Sequence, residues 1–458
     1  MRRGAPAVNV QRASAAPALG DGKDFFLGPA QQFIGRLALR IERGRRDLVA
    51  SADELAHDRS LAHDIRIGLD IGCAGDIRGQ LADGKTLGVI GCGMMGTRHI
   101  TRLLQLPELY QVTAVCDVYS KWRDEQAARA GADAYADYRK MLEADNVNAV
   151  LVASPDHWHA QMCIDAADAG KDIYCEKPMT LWKDLQEAQD VVAAVRRNNT
   201  VFQLGVQSTS DARHLQAREQ LEAGRIGQVV RAQSAYMRNG DHHKYTPSST
   251  EPGAIPGETL DWEMWLGPAP QIPFDMGRFA SFRGFLDYSG GIVTDLLPHR
   301  LTPLALALGV GFPKRVASTG GKYFFTDRRE IPDTVNVTVE YEGGPSVYLA
   351  SGMACPYTPP SQIEGPGGIL RFDGSGFVIQ DASGNDVERI DSTRAPVDSE
   401  QRIEHLKDLH QCIHTRQQPR CDVWFGYQTM TVLHMAMRSY VDGKVYEFDE
   451  ATETARAL

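Results

Sequence analysis

No window of the 458-residue chain offers the roughly 18 uninterrupted apolar residues that a membrane-crossing helix needs. The most apolar stretch, residues 290–310, is interrupted by Asp295, His299 and Arg300, so a helical membrane protein is excluded and no membrane partner is expected. Blocks of one charge are missing too. The net charge of −10 comes from acids and bases mixed along the chain, which argues against a nucleic-acid or anionic-lipid surface and leaves a neutral small molecule as the expected partner. The eight cysteines (Cys73, Cys92, Cys116, Cys163, Cys175, Cys355, Cys412, Cys421) form no CxxC pair, so neither a disulfide framework nor a structural metal is expected.

What is present divides into three parts. Residues 1–84 are rich in Ala, Arg, Asp and Gly, with one helix-like patch at Phe33–Leu55. Arg2 and Arg3 ahead of the Ala-rich Arg12–Leu19 stretch outline an export signal, but Asn9, Gln11 and Arg12 interrupt its apolar core. A poorly defined extension and a cytoplasmic location are expected, with export left open. From Lys85 short apolar runs alternate with amphipathic stretches to about residue 206, the pattern of a parallel sheet covered on both faces. From 207 to 450 the texture changes: a helix at Leu215–Ala223, a strand at Gln228–Met237, a long Pro/Gly/aromatic region, and a helix from Gly291 to Leu308. Strands at Arg315–Phe325, Thr334–Tyr341, Ser346–Ser351, Ile369–Phe372 and Phe377–Ile379 follow, then helices at His405–Thr415 and Tyr427–Val441. Gly343-Gly344 suits a tight turn between two of these strands. The fold class expected is α/β, an N-terminal doubly wound Rossmann sheet followed by an α/β domain with an open, mostly antiparallel sheet flanked by those helices.

Gly91-Cys92-Gly93-Met94-Met95-Gly96 follows the apolar run Thr86–Ile90 and opens an amphipathic helix. In that context the first glycine permits the tight bend, the second lets a pyrophosphate approach the backbone, and the third lets helix and strand pack closely. The backbone N–H groups at the start of the helix then face the phosphates. Asp117 ends the second strand about 20 residues beyond Gly96, where a carboxylate accepts hydrogen bonds from ribose hydroxyls and repels a 2′-phosphate. NAD is therefore favoured as cofactor, with NADP left open because Ser120 and Lys121 follow closely.

Ligands of such sheets bind beyond the carboxyl ends of the strands. Two loops leave there: Ser154-Pro155-Asp156-His157-Trp158-His159 and Glu176-Lys177-Pro178. Ser154, Pro155, His157 and His159 are expected to line the cofactor with Glu176 and Lys177, and the two histidines lack the further ligands a metal needs. Pro178 restricts the backbone before it and holds Lys177 in one direction. In the predicted helix from Gly291, Asp295 and His299 are i, i+4 neighbours, a pairing that reads as a general base with its orienting acid or, slightly favoured on these residues alone, as a core ion pair. Arg283 and Tyr288, ahead of the glycine pair, are candidate substrate contacts, together with Arg278, His242 and His243.

Taken in order, the glycine turn, the Ser-Pro-Asp-His-Trp-His loop, Glu176-Lys177-Pro178 and the Asp295/His299 element resemble the glucose-fructose oxidoreductase / inositol dehydrogenase / MocA family, from about Lys85 to Phe448. The resemblance implies an oxidoreductase moving a hydride between NAD(P) and a sugar or polyol. It implies Lys177 beside the nicotinamide and the reacting hydroxyl, His299 as general acid/base touching substrate, and Asp295 orienting or assisting it. It also implies a homo-oligomer formed through the C-terminal sheet. Many relatives carry a second acid three residues after the histidine; Thr302 stands there in this chain, and Arg300 follows the histidine. Two other readings use the same residues: a glycosidase or epimerase that recycles a tightly held NAD, and a non-catalytic sensor of the dinucleotide.

Overall fold

The computed structural model describes residues 85–374, 376–392 and 398–458; the helix expected at Phe33–Leu55 and Cys73 lie outside them. The chain enters on β1 (Lys85–Ile90), whose last four residues are buried, turns through the glycines, and continues as α1 (Met94–Leu103). It then runs β2 (Tyr110–Cys116), α2 (Ser120–Ala130), β3 (Asp133–Tyr135), α3 (Tyr138–Leu142), β4 (Ala149–Val152), α4 (His159–Asp168), β5 (Asp172–Glu176), α5 (Gln186–Asn198) and β6 (Phe202–Gly205). The six strands lie in the order β3-β2-β1-β4-β5-β6, every pair parallel. β4 and β5 are buried along their whole length, as strands covered on both faces must be. Strand order reverses between β1 and β4, and the crevice that opens there is the ligand position of doubly wound sheets.

After β6 the chain forms α6 (Ala212–Glu222) and β7 (Arg231–Met237), then a long segment holding only α7 (Trp262–Leu266) and α8 (Met276–Ala280). The helix expected from Gly291 to Leu308 is two helices, α9 (Ile292–Asp295) and α10 (Pro298–Leu308). Pro298 has no N–H to give and its ring crowds the preceding turn, so the chain breaks at Leu296-Leu297 and restarts with proline at the first helical position. Strands β8 (Arg315–Gly321), β9 (Thr334–Glu340), β10 (Ser346–Gly352), β11 (Gln362–Gly365), β12 (Gly368–Phe372), β13 (Gly376–Asp381) and β14 (Asp386–Asp391) precede α11 (Asp398–Thr415) and α12 (Val423–Asp442), and β15 (Tyr446–Asp449) and β16 (Thr454–Ala457) close the chain. Their sheet has ten strands in the order β14-β13-β12-β11-β7-β10-β9-β8-β15-β16, antiparallel except where β7 pairs with β10. The β9–β10 turn uses Gly343 at φ 59°.

The fold class is as expected, with one displacement. The helix expected at His405–Thr415, here the latter part of α11, does not flank the large sheet. Its Leu406, Leu409, Cys412 and Ile413 belong to the core formed by Leu87, Val89, Ile100, Leu103 and Tyr110 of the parallel sheet and α1. Tyr110 donates its hydroxyl to the Leu406 carbonyl at 2.6 Å, and Arg416 pairs with Asp172 at 2.8 Å. Among the described residues all seven cysteines are free and six are buried. No described helix is long and apolar enough to cross a membrane.

Candidate active site

The glycine turn builds the floor of a cavity of about 480 Å³. Gly91 sits at φ 92°, and a Cβ there would lie 2.7 Å from the Ala153–Ser154 backbone, so β1 and β4 approach as closely as only glycine allows. A Cβ on Gly96 would overlap the Gly91 carbonyl oxygen, which is the close packing of helix on turn. α1 starts at Gly93 with no side-chain cap and no acid in its first turn, leaving its N–H groups to the cavity. Asp117 accepts from the Cys92 N–H at 2.7 Å and the Tyr119 N–H at 2.8 Å, tying the end of β2 to the turn. Burial outweighs those bonds and raises its carboxyl to about 6. Gly91, Gly93, Met94, Met95, Asp117, Ser154 and Pro155 all line this cavity; Gly96 lies just behind it. The opposite wall comes from the long segment after β7, with His243, Lys244, Glu251, Phe279 and Arg283, and Trp122 stacks on Phe279.

Asp295 is the hub of the second cluster. It is 1 % exposed. One carboxylate oxygen accepts a hydrogen bond from Lys177, whose Nζ also donates to the Asp295 carbonyl at 2.9 Å. The other oxygen accepts from Lys244 at 2.6 Å and from the Tyr245 hydroxyl, and Arg283 Nε stands 3.3 Å away. Burial alone would raise this carboxyl; Lys177, Lys244 and Arg283 together hold it well below the carboxylate range. Burial likewise lowers Lys244 to about 8. Sequence reasoning had no signal for Lys244 and Tyr245, which stand in a loop without periodicity.

His299 differs from expectation. It makes no hydrogen bond to Asp295, whose oxygens are taken by the lysines and the tyrosine. It faces a second cavity, of about 380 Å³, against the Tyr236 ring at 6.0 Å. Burial and then the Lys177 charge lower its imidazole to about 3, so it is neutral. The Asp295 cluster reaches the first cavity through Lys244 and Arg283, whereas His299 lines the second; Asp295 and Lys177 themselves line neither.

Four expected contacts lie elsewhere. Glu176 accepts from His99 at 2.6 Å, a buried pair that fastens α1 to β5. His157 bonds the Trp265 carbonyl at 3.0 Å, and burial lowers it to about 4. His159 bonds the carbonyls of Pro178 and Ser154, at 2.6 and 3.0 Å, joining the two strand-end loops. Tyr288, a candidate substrate contact, is fully buried, its ring packed against Trp265 and His157. Their side chains do not line the first cavity, and neither does that of Lys177, also expected to touch the cofactor. Arg278 pairs with Asp287 and Glu330. Among the described residues no group of His, Cys, Asp and Glu is arranged to hold a metal.

Two family models match this architecture: the NAD-binding Rossmann fold of the Gfo/Idh/MocA oxidoreductases over residues 85–206, and their C-terminal alpha/beta domain over 239–456. The chain belongs to the Gfo/Idh/MocA oxidoreductase family. Among its relatives, an inositol 2-dehydrogenase of Saccharopolyspora erythraea is 31% identical over 184 residues, 39% of this chain and 53% of that protein. The chain thus spans about half the length of the curated relatives it matches. The fold matches levoglucosan dehydrogenase solved with NADH and levoglucosan (TM-score 0.63, 18% identity, 80% of this chain and 99% of that one). It also matches the WlbA dehydrogenase of Bordetella pertussis, solved with NADH and UDP-GlcNAcA (TM-score 0.60, 19% identity, again 80% and 99%).

Proposed function

We propose that this member of the family is an NAD-dependent dehydrogenase that oxidises a carbinol of a sugar, inositol or similar polyol, or reduces the matching ketone. The observation that carries the reading is the buried Lys177–Asp295 pair, whose lysine charge also acts on neutral His299, with Lys244 and Arg283 of the same cluster lining the first cavity and His299 the second. The first cavity fits a dinucleotide: glycines leave the space side chains would fill, the N–H groups of α1 are uncapped, and Asp117 keeps acceptor capacity beyond its two backbone bonds. The cations that follow β2 are engaged, Lys121 with Glu251 at 3.0 Å and Arg123 with Asp124 at 2.8 Å, which favours NAD over NADP. Gly91, Gly93, Met94, Met95, Ser154 and Pro155 would hold the cofactor. NAD, when bound, supplies the electron-pair acceptor for the oxidation.

The remaining work falls to the chain. A carbinol can give up its C–H electrons only as its O–H proton leaves, and the oxygen's negative charge must be met as it grows. Lys177 has one proton beyond the two it gives Asp295, and that ammonium answers the developing alkoxide. His299, kept neutral by burial and by Lys177, accepts the hydroxyl proton and passes it to the second cavity. Asp295 positions Lys177 rather than His299. Lys177→Ala and His299→Ala are each expected to lower turnover by about 10³-fold or more, with NAD affinity within a few-fold by fluorescence titration. Full activity in either variant removes that residue from the mechanism, and full activity in both returns the chain to a dinucleotide sensor.

The same proposal divides the described chain at about residue 206 into cofactor and substrate halves, and assigns the large sheet a second role. Val335, Val337 and Val339 of β9 point into the core, whereas Asn336 and Thr338 on the opposite face are less buried. That face would pair two copies of the chain. Sedimentation equilibrium should return at least twice the chain mass; a single-chain mass at micromolar concentration defeats the assignment.

A further inference from the structure

The second cavity contains a charge with nothing to balance it. Arg300, next to His299, makes no side-chain hydrogen bond or ion pair with any described residue, and its Nε is buried without a partner. Its guanidinium lies 5.0 Å over the Tyr236 ring, the ring that also packs on His299. The other arginine of the cavity is fixed: Arg213 stands 3.0 Å from Asp211 and donates to the Asp373 carbonyl at 2.9 Å. The acid on the cavity wall, Asp373, has its carboxylate engaged by Arg389 and by the Gly376 N–H. On the floor the hydroxyls of Ser234 and Ser361 are 2.5 Å apart, further polar groups facing the same space.

Leaving a guanidinium largely out of water without a counter-charge is costly, and its planar fork of donors matches a carboxylate or phosphate. The cofactor's pyrophosphate is not that anion, because the glycine turn that would hold it lines the other cavity. The proton acceptor His299 and Arg300 are adjacent on the wall of one cavity, so a molecule reacting at the first reaches the second.

We propose that the substrate is an acidic sugar or polyol, a sugar acid or a sugar phosphate, whose anionic group is bound by Arg300 while its carbinol meets His299 and Lys177. This rests on the dehydrogenase reading and replaces the neutral substrate that the overall charge suggested. Whole-chain charge reports the outer surface; the cavity has its own sign.

The test uses the full chain loaded with NAD and matched probes: D-glucose, D-galactose and myo-inositol against D-glucuronate, D-galacturonate, D-glucose 6-phosphate and myo-inositol 1-phosphate. NADH formation and the melting temperature are read in parallel for wild type, Arg300→Gln and Arg300→Lys. An acidic probe should exceed its neutral partner in kcat/KM by on the order of 100-fold. Arg300→Gln should erase most of that ratio through KM, and Arg300→Lys should restore part of it. The carboxylate and phosphate arms tell which anion is read. Equal use of neutral and acidic probes, unchanged in Arg300→Gln, overturns the inference and leaves the dehydrogenase standing. If nothing is turned over, a melting shift with an acidic probe that Arg300→Gln abolishes upholds the anion site and counts against the dehydrogenase. No shift with any acidic probe overturns the anion site.

Discussion

At Asp295 one carboxylate serves Lys177, Lys244 and Tyr245, with Arg283 in range, while Glu176 and Asp156 add negative charge near Lys177 and Arg283. Within this cluster Lys244 is the cation whose charge is adjustable. Burial first, offset by Asp295 and deepened by Arg283 and Lys177, brings its ammonium from 10.5 down to about 8. Lys244 is charged below that pH and neutral above it, so kcat/KM is expected to fall as pH rises through about 8. Lys244→Arg should move that limb beyond the assay range. Stability runs the other way: between about 8 and 10.5 the unfolded lysine holds a proton the folded one has lost, so raising pH favours the folded state at this group. A melting temperature that holds while activity falls separates the two effects, and a flat kcat/KM from pH 7 to 9.5 would exclude Lys244 from the reaction. The cavity residues legible in the sequence were those fixed by strand ends and short spacings: Gly91, Gly93 and Asp117. Lys244 and Tyr245 were illegible because tertiary packing alone brings their loop to Asp295.

Among the elements, the short α9 depends on how it begins. Gly291 has φ 59° and ψ −133°, and a Cβ there would lie 2.6 Å from Ile331. Gly291→Ala must both strain the backbone and displace the Ile331 side chain, for a loss on the order of 3 kcal/mol. Because Asp295 is the last residue of that helix, kcat should drop with stability. Urea midpoints and single-turnover rates would check both; a variant of unchanged midpoint would show that the turn tolerates a side chain. Here sequence reading reached the glycine pair but ran one helix through Pro298, since apolar periodicity continued across the break while the missing N–H ended the hydrogen-bond ladder. Strands β3, β11, β14, β15 and β16 were missed for a different reason. They are three to six residues long, too brief for alternation to register, and all but β11 lie at or near sheet edges.

Over the whole molecule, α11 crosses from the late sequence to the early sheet. Leu406, Leu409, Cys412 and Ile413 complete a core that residues 85–206 begin, and Arg416 locks the end of the helix to Asp172. A fragment of residues 85–206 alone is therefore expected to lack cooperative unfolding and near-ultraviolet dichroism, although it contains every strand of the parallel sheet. Adding a peptide of residues 398–419 should raise its helical signal and protect Tyr110 from solvent. A fragment that melts cooperatively by itself would show that α11 only decorates the sheet. Periodicity located this helix and could not assign its partner, because an apolar stripe specifies that something is buried and not what covers it.

The crossing also sets an order of events on the ribosome. About 200 residues must still be made after the last parallel strand before α11 emerges, roughly 10–40 s at ordinary elongation rates. Through that interval the nascent sheet carries a bare apolar flank around Leu103 and Tyr110, the kind of surface that chaperones hold and that crowded neighbours stick to. Yield in the cell would then follow the speed of translation through the second half of the message as much as the stability of the finished protein.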